Sequence, residues 1–161
     1  MINASDKQFF LASRLLKEGQ IEECINELSL LLIRYPDHGR GNALLGRLYL
    51  RHLSDYTQAE ECFLQALRFD PLYPELYYDF AELLIHLEKY TEAIAVLNKG
   101  FEIPGIEKNK LYRWTGMIYE KQKDFDQAIL NYTQAIYDSF SDTFIQLLKS
   151  DIKRCLMKKA G

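Results

Sequence analysis

The chain has 161 residues, of which 48% are hydrophobic, and this is enough for one packed domain of ordinary size. Its 20 basic and 23 acidic residues give a net charge of −3, so no global positive field favours a nucleic acid as partner. The stretch 1–7 has no apolar run of signal-peptide length, and no run approaches the roughly 18 apolar residues of a membrane helix. We therefore expect a single domain over residues 1–161, with no nucleic-acid partner, no membrane span and a cytoplasmic location.

Helix start and stop signals predict nine helices along the chain. Ser5 and Gln8 have the spacing of a capping box, Gly19 is typical of a helix end, and Asp37 precedes the third helix. Pro74 suits the first turn of the fifth helix, where a proline is tolerated. The predicted spans are 6–18, 21–34, 38–52, 56–69, 74–87, 91–102, 108–122, 125–138 and 142–158.

Five kinds of position recur at a spacing of 34 or 35 residues. The first helix of each pair has a small residue, at Ala12, Gly46, Ala81 and Gly116, and a larger one three places later, at Leu15, Tyr49, Leu84 and Tyr119. An apolar residue then opens the second helix, at Ile21, Tyr56, Tyr90 and Phe125. That helix has a small residue at Cys24, Ala59, Ala93 and Ala128, and a bulky one at Leu28, Phe63, Leu97 and Tyr132. Because small residues permit close crossing, each repeat is predicted to be a pair of antiparallel helices.

Two one-residue insertions account for the alternation between 34 and 35. One lies between Tyr49 and Tyr56, and the other lies near Pro104 and Gly105, which break the helix before the fourth repeat. An insertion inside a helix would rotate its apolar face away from the core. Both insertions are therefore predicted to lie in turns.

The sequence offers no pattern of residues that is typical of a catalytic or metal site. Cys24, Cys62 and Cys155 are too few and too scattered for a disulfide framework or a zinc site, and the three histidines lack the spacing of paired ligands. There is no nucleophile with an adjacent base and no glycine-rich phosphate loop. We expect no catalytic residue, no metal and no cofactor, and hence no enzyme.

The repeated positions resemble those of the tetratricopeptide repeat family, from about Ser5 to about Phe140. The most faithful copy has, in order, Leu45, Gly46, Tyr49, Tyr56, Ala59, Phe63, Ala66 and Pro71. The resemblance implies an all-α fold, a right-handed superhelical α-α solenoid of helix-turn-helix repeats. The repeats would span approximately 5–37, 38–73, 74–107 and 108–141.

The last predicted helix, over 142–158, is expected to be a capping helix. Phe144, Leu148, Ile152 and Cys155 form one apolar stripe, whereas its basic residues lie mostly off that stripe. A solenoid would otherwise expose the hydrophobic edge of its terminal repeat. We interpret the basic end as cations that complement a helix C-terminus, in preference to a membrane or nucleic-acid contact.

Members of the family bind partners in a concave groove lined by the first helix of each pair. By this resemblance the candidate protein-binding residues are Arg40, Arg47, Arg51, Tyr78, Asp79, Glu82, Arg113, Trp114 and Met117. Trp114 is set apart because it lies outside the positions used for packing within a repeat.

Along the chain the candidate groove residues are first basic, then acidic, then basic with an aromatic. Two interpretations of this order of charges remain open. In the functional one, Arg47 and Arg51 take carboxylates of a mixed-charge peptide, while Tyr78 and Trp114 supply apolar anchors. In the structural one, Arg47 and Arg113 pair with carboxylates on a neighbouring first helix, in exposed ion pairs worth about 0–1 kcal/mol each.

The leading functional prediction is a non-catalytic scaffold or adaptor that binds a peptide or partner protein in its concave groove. The alternative is a chaperone like those of type III secretion, which are tetratricopeptide proteins of similar size that hold client proteins. The repeats begin almost at Met1 and leave no N-terminal arm for the dimer that such chaperones use. We therefore expect a monomer rather than a homo-oligomer.

Overall fold

The computed structural model describes residues 1–161, and its secondary structure is entirely helical. The helices are α1 Ala4–Lys17, α2 Ile21–Arg34, α3 Gly39–Leu48, α4 Tyr56–Phe69, α5 Pro74–His86, α6 Tyr90–Gly100, α7 Lys108–Lys121, α8 Phe125–Tyr137 and α9 Asp142–Ala160. A π-helical turn, Tyr49–Leu53, continues α3. The nine predicted helices are confirmed, and the predicted all-α class of helix-turn-helix repeats with them. None of the helices combines the length and the apolar character needed to cross a membrane.

Side-chain caps set the starts of α1, α3, α4, α8 and α9, and two of these caps differ from the sequence prediction. The side chain of Asn3, not Ser5, caps α1, since its Oδ1 accepts a hydrogen bond from the amide of Asp6 at 2.7 Å. Likewise the side chain of His38, not Asp37, caps α3: its Nδ1 accepts from the amide of Gly41 at 2.9 Å. In both cases the capping residue comes directly before the first helical residue, where its side chain can reach the free amides of the first turn.

The first insertion is absorbed by the π-helical turn after α3. That turn takes up the extra residue at the end of the helix, and Ser54 then closes it with a left-handed backbone, at φ 52°. We expected this insertion to lie wholly in the connection between the helices. It lies instead partly in the last helical turn. The second insertion does lie in a connection, where Gly105 has a φ of +77° that favours glycine.

The chain forms two compact units, Met1–Leu76 and Tyr77–Gly161, each with its own buried core. In the first unit α1 packs on α2 and α3 packs on α4, around the fully buried side chains of Leu28, Leu31 and Leu48. In the second unit α8 packs against both α7 and α9. A single domain over 1–161, with the four repeat boundaries given above, remains a prediction.

The small and bulky repeat positions meet where helices cross. A Cβ atom added to Gly46 would lie 2.7 Å from the ring of Phe63, and one added to Gly116 would lie 2.7 Å from the ring of Tyr132. The small residues of the second helices, Cys24, Ala59, Ala93 and Ala128, are fully buried. The expected close crossing within these pairs is therefore confirmed.

The stripe of α9 faces the core of the second unit. Leu148 and Cys155 are fully buried in one cluster with Ala128, Tyr132 and Ala135 of α8. Phe144 and Ile152 of the same stripe pack against this cluster and are partly buried. The helix is therefore integral to the core of its unit, whereas its role as the cap of a solenoid stays a prediction.

Candidate functional site

Among the candidate arginines of the first unit, Arg40 and Arg47 lie close to carboxylates. Arg40 is exposed, and its Nε lies 3.3 Å from Oδ2 of Asp70, while its guanidinium lies 5.5 Å from the ring centroid of Tyr73. Arg47 is half-buried and approaches Glu75 at 3.9 Å. Arg51 is exposed in the π-helical turn. Exposed ion pairs of this kind contribute little to stability.

Tyr78 and Asp79 are buried, with only 7% and 2% of their surface exposed. The Tyr78 hydroxyl accepts a hydrogen bond from the amide of Glu107 at 2.9 Å and donates one to the carbonyl of Glu107 at 3.2 Å. It thereby anchors the loop before α7. Our expectation of Tyr78 as a ligand-facing anchor is corrected on this point, because its hydroxyl is used within the fold and its ring offers little surface.

Arg113 follows the structural interpretation, with a partner that sequence reasoning did not name. Its Nε donates to Oδ2 of Asp151 in α9 at 3.0 Å, and Asp151 is 2% exposed. The other carboxylate oxygen of Asp151 accepts from Arg154 at 2.9 Å. A buried carboxylate held by two guanidinium groups makes Arg113 a structural residue of the second unit.

Three of the candidate residues, Glu82, Trp114 and Met117, line one depression in the second unit, with a volume of about 390 Å³. Trp114 is partly exposed there, and it also forms a wall of a smaller depression of about 170 Å³. Met117 has its inner side against the core cluster of α8 and α9. The structure therefore joins a half-open aromatic ring, a thioether and a carboxylate in one place.

Sequence reasoning missed a charge network that ties α9 to α7. The carboxylate of Glu120 accepts hydrogen bonds from Arg154 at 2.7 and 2.8 Å, from Lys158 at 2.9 Å and from the Tyr132 hydroxyl at 2.9 Å. The bonds from Arg154, with those from Lys158 and Tyr132, hold the pKa of Glu120 well below its usual range. The signal was present in the sequence, since Arg154 follows Glu120 by 34 residues, which is one repeat.

None of the cysteine thiols is poised for chemistry. All three cysteines are buried and unpaired. Burial raises the pKa of the Cys62 thiol to about 12, and burial with the neighbouring Glu120 carboxylate raises that of Cys155 to about 11. A thiol is a nucleophile only as thiolate, so both are inert packing residues at neutral pH. No three His, Cys, Asp or Glu side chains are grouped so that they could hold a metal ion.

Comparison with known proteins agrees with this architecture. Two family models, each described as a tetratricopeptide repeat, match residues 50–103 and 114–137. The structure aligns with that of Pseudomonas aeruginosa pilF at a TM-score of 0.83 and 18% identity, over 98% of this chain and 69% of the other. The predicted resemblance to the tetratricopeptide repeat family is confirmed over these two segments. At this identity the structural likeness shows the fold of the tetratricopeptide repeat protein and nothing of its partners.

Two curated relatives are much longer than this tetratricopeptide repeat chain. Human tetratricopeptide repeat protein 13 is 25% identical over an alignment of 165 positions, which covers 98% of this chain and 19% of the relative. Protein O-mannosyl-transferase Tmtc3 of Drosophila melanogaster is 27% identical over 89 residues, which are 55% of this chain and 10% of the relative. The chain thus spans a small part of both.

Proposed function

We propose that this chain is a non-catalytic interaction module, a scaffold or adaptor that binds a peptide or a segment of a partner protein. Its family supports this role, because tetratricopeptide repeats generally serve as interaction modules without catalysis. The observation that carries the proposal is Trp114, which stands partly exposed beside Met117 at the wall of a depression. Tryptophan is enriched at binding hot spots and costly to leave in water without use.

The depression around Trp114 has the size and chemistry of a peptide pocket. Its volume of about 390 Å³ falls within the range of ligand pockets, roughly 300–1,000 Å³. Trp114 and Met117 supply the apolar wall, while Glu82 and Lys121 bring charges of both signs to the rim. An apolar side chain of the partner would fill the depression, and flanking polar groups of the same segment would meet the rim.

The remaining candidate groove residues extend this proposal to a mixed-charge partner. Arg47 and Arg51 would receive carboxylates of the bound segment, since the ion pair of Arg47 with Glu75, at 3.9 Å, is long and contributes little to stability. We further propose a monomer that acts in the cytoplasm without nucleic acid or cofactor. The net charge of −3 and the three unpaired cysteines support this environment.

The proposal is tested with Trp114→Ala and Arg47→Glu, and with Leu130→Ala as control for an exposed apolar residue on α8. Each variant is used as bait in a pull-down from the native cell, and its melting temperature is measured. A partner recovered with wild type is then titrated against all four proteins. We expect Trp114→Ala to weaken binding by about 2 kcal/mol or more, the scale of an aromatic hot spot, with little change in melting temperature.

Arg47→Glu should weaken binding of the same partner, and Leu130→Ala should leave that binding unchanged. Lost stability of Trp114→Ala with intact binding would overturn the proposal, because Trp114 would then be a packing residue. A dimer that keeps an unfolded client soluble would instead favour the chaperone of the type III secretion kind.

A further inference from the structure

A second concave site lies within the first unit, far in sequence from Trp114. It is a cavity of about 530 Å³ at the N-terminal end of α1, the connection from α2 to α3 and the C-terminal end of α4. Its residues belong to 3–10, 35–40 and 69–70, of which only 69–70 fall within a segment that the family models match. We call it the edge cavity, because it is built from helix ends.

Aromatic rings form the apolar part of the edge cavity. Phe10, Tyr35 and Phe69 line it with 56%, 36% and 41% of their surfaces exposed. Phe9 stands beside Phe10 with ring centroids 6.1 Å apart, and on its other side packs against His38 at 5.3 Å. The Phe69 ring already has the Arg68 guanidinium 5.2 Å from its centroid. Single exposed apolar residues are common on protein surfaces, but Phe10 and Tyr35 bring two further open rings to the same cavity.

The charge of the edge cavity is negative. Three carboxylates line it, those of Asp6, Asp37 and Asp70, against the single guanidinium of Arg40, which leaves an excess of two negative charges. Arg40 is already held by Asp70 at 3.3 Å. Asp37 is exposed at the rim.

His38 adds no positive charge to the edge cavity in this arrangement. Its Nδ1 accepts the hydrogen bond from the amide of Gly41, so the ring is the neutral tautomer with its proton on Nε2, 3.7 Å from Asp6. His38 and Asn3 each satisfy one amide at the start of their helix, those of Gly41 and Asp6.

We propose that the edge cavity binds a lysine or arginine side chain of a partner protein, as a second site independent of the Trp114 depression. Aromatic faces attract a cation through the negative face of the ring, and the carboxylates of Asp6 and Asp37 add a Coulomb term of the same sign. An anionic partner, such as a nucleic acid backbone, would be repelled by the same carboxylates. The volume exceeds that of an ammonium head alone and leaves room for the aliphatic stem and flanking backbone of a peptide.

The probe for this test is the peptide Gly-Gly-Ser-Lys-Ser-Gly-Gly with blocked termini, so that the lysine ammonium is its only charge. The matched peptides carry acetyl-lysine or glutamate at the same place. Binding is followed by the NMR shifts of the aromatic side chains in the full chain. We expect saturable shifts confined to Phe10, Tyr35 and Phe69 with the lysine peptide, and none with the other two.

Variants then assign the contact to the edge cavity. Phe10→Leu keeps an apolar residue at an exposed position. It should lower the affinity for the lysine peptide by roughly 2- to 5-fold, the scale of an exposed cation–π contact. Asp37→Asn should also weaken it and reduce its dependence on salt. Leu64→Ala, an exposed change on α4 away from the cavity, should have no effect. Trp114→Ala should have none either, so this proposal and the one for the Trp114 depression fail separately.

Equal binding of the acetyl-lysine peptide would overturn the proposal, since the site would then be merely apolar. Shifts that spread over the surface, or no saturable shift with the lysine peptide, would overturn it as well.

Discussion

At the scale of single residues, the contact between a small and a bulky side chain carries the repeat. Gly46 meets Phe63 and Gly116 meets Tyr132 so closely that a methyl group would lie 2.7 Å from the ring. The Phe63 and Tyr132 side chains are fully buried, so neither ring has open space in which to retreat. This pairing links a period in the sequence to a distance between helices.

We expect Gly46→Ala to lower the free energy of unfolding by about 1–3 kcal/mol, the usual cost of overpacking a tight core. The higher helix propensity of alanine would offset up to about 1 kcal/mol of that cost. Chemical unfolding followed by circular dichroism gives the value, and Thr57→Ala at an exposed position of α4 is the control.

A double-mutant cycle shows whether Phe63 is the cause. Phe63→Leu removes the ring atoms that the new methyl group meets, so Gly46→Ala should cost less in that background than in wild type. Strictly additive effects of the two changes would mean that another neighbour limits this position.

The candidate first-helix residues differ in how far their surroundings could be predicted from the sequence. Of the first-helix positions that we expected to face away from the packing slots, Trp114 is partly exposed, whereas Tyr78 and Asp79 are buried. Tyr78 and Arg113 are both among these positions, but their partners are Glu107 in a loop and Asp151 in α9. Neither Glu107 nor Asp151 is one of the repeated positions, so the repeat pattern did not name them as partners.

At the scale of elements, the ion pairs of α9 are more than solubilising charges. We interpreted the basic end of this helix as a complement to its C-terminus, but Arg154 and Lys158 both reach Glu120 in α7. Only 10% of the Glu120 side chain is exposed. The apolar stripe of α9 therefore packs against α8, and its basic residues bind the mostly buried Glu120 carboxylate of α7.

This arrangement predicts a pH dependence of stability. The folded-state pKa of Glu120 is lowered, so its contribution is fully present above the unfolded value of about 4.3 and is lost as the pH falls toward the folded value. Glu120→Gln removes that contribution, and we expect it to lower stability near neutral pH by about 1–3 kcal/mol. The difference in the free energy of unfolding between wild type and variant should then narrow below about pH 4.

Urea unfolding of both proteins over the acid range measures this narrowing. Glu102→Gln serves as the control, because Glu102 is exposed just after α6 and its loss should change stability little at any pH. A gap between wild type and Glu120→Gln that stays constant down to about pH 3 would show that the carboxylate is not held in its charged form.

At the scale of the whole molecule, the helices were predicted by local start and stop signals together with the period of 34 or 35 residues. The signals placed nine helices, and the period located both insertions, because a repeat has to keep its apolar face in register. It did not indicate that Tyr49–Leu53 would form a π-helical turn, since the choice between a wider turn and a longer connection depends on packing around Leu50, which is buried. The edge cavity was missed for a similar reason, as its rings come from three separated segments.

The last prediction concerns the solution state of the whole chain. Deletion of residues 141–161 removes α9 and uncovers Ala128, Tyr132 and Ala135, which are now fully buried. It also deprives Glu120 of Arg154 and Lys158. Because a contiguous apolar face in water promotes association, we expect the truncated protein to aggregate or dimerise. Light scattering at several concentrations measures this association, alongside a thermal melt.

The matched control is deletion of residues 159–161 alone, which keeps Leu148, Cys155 and both α9 partners of Glu120 and should behave as wild type. A soluble monomer of the longer truncation with the original melting temperature would mean that α9 contributes nothing to the core of its unit.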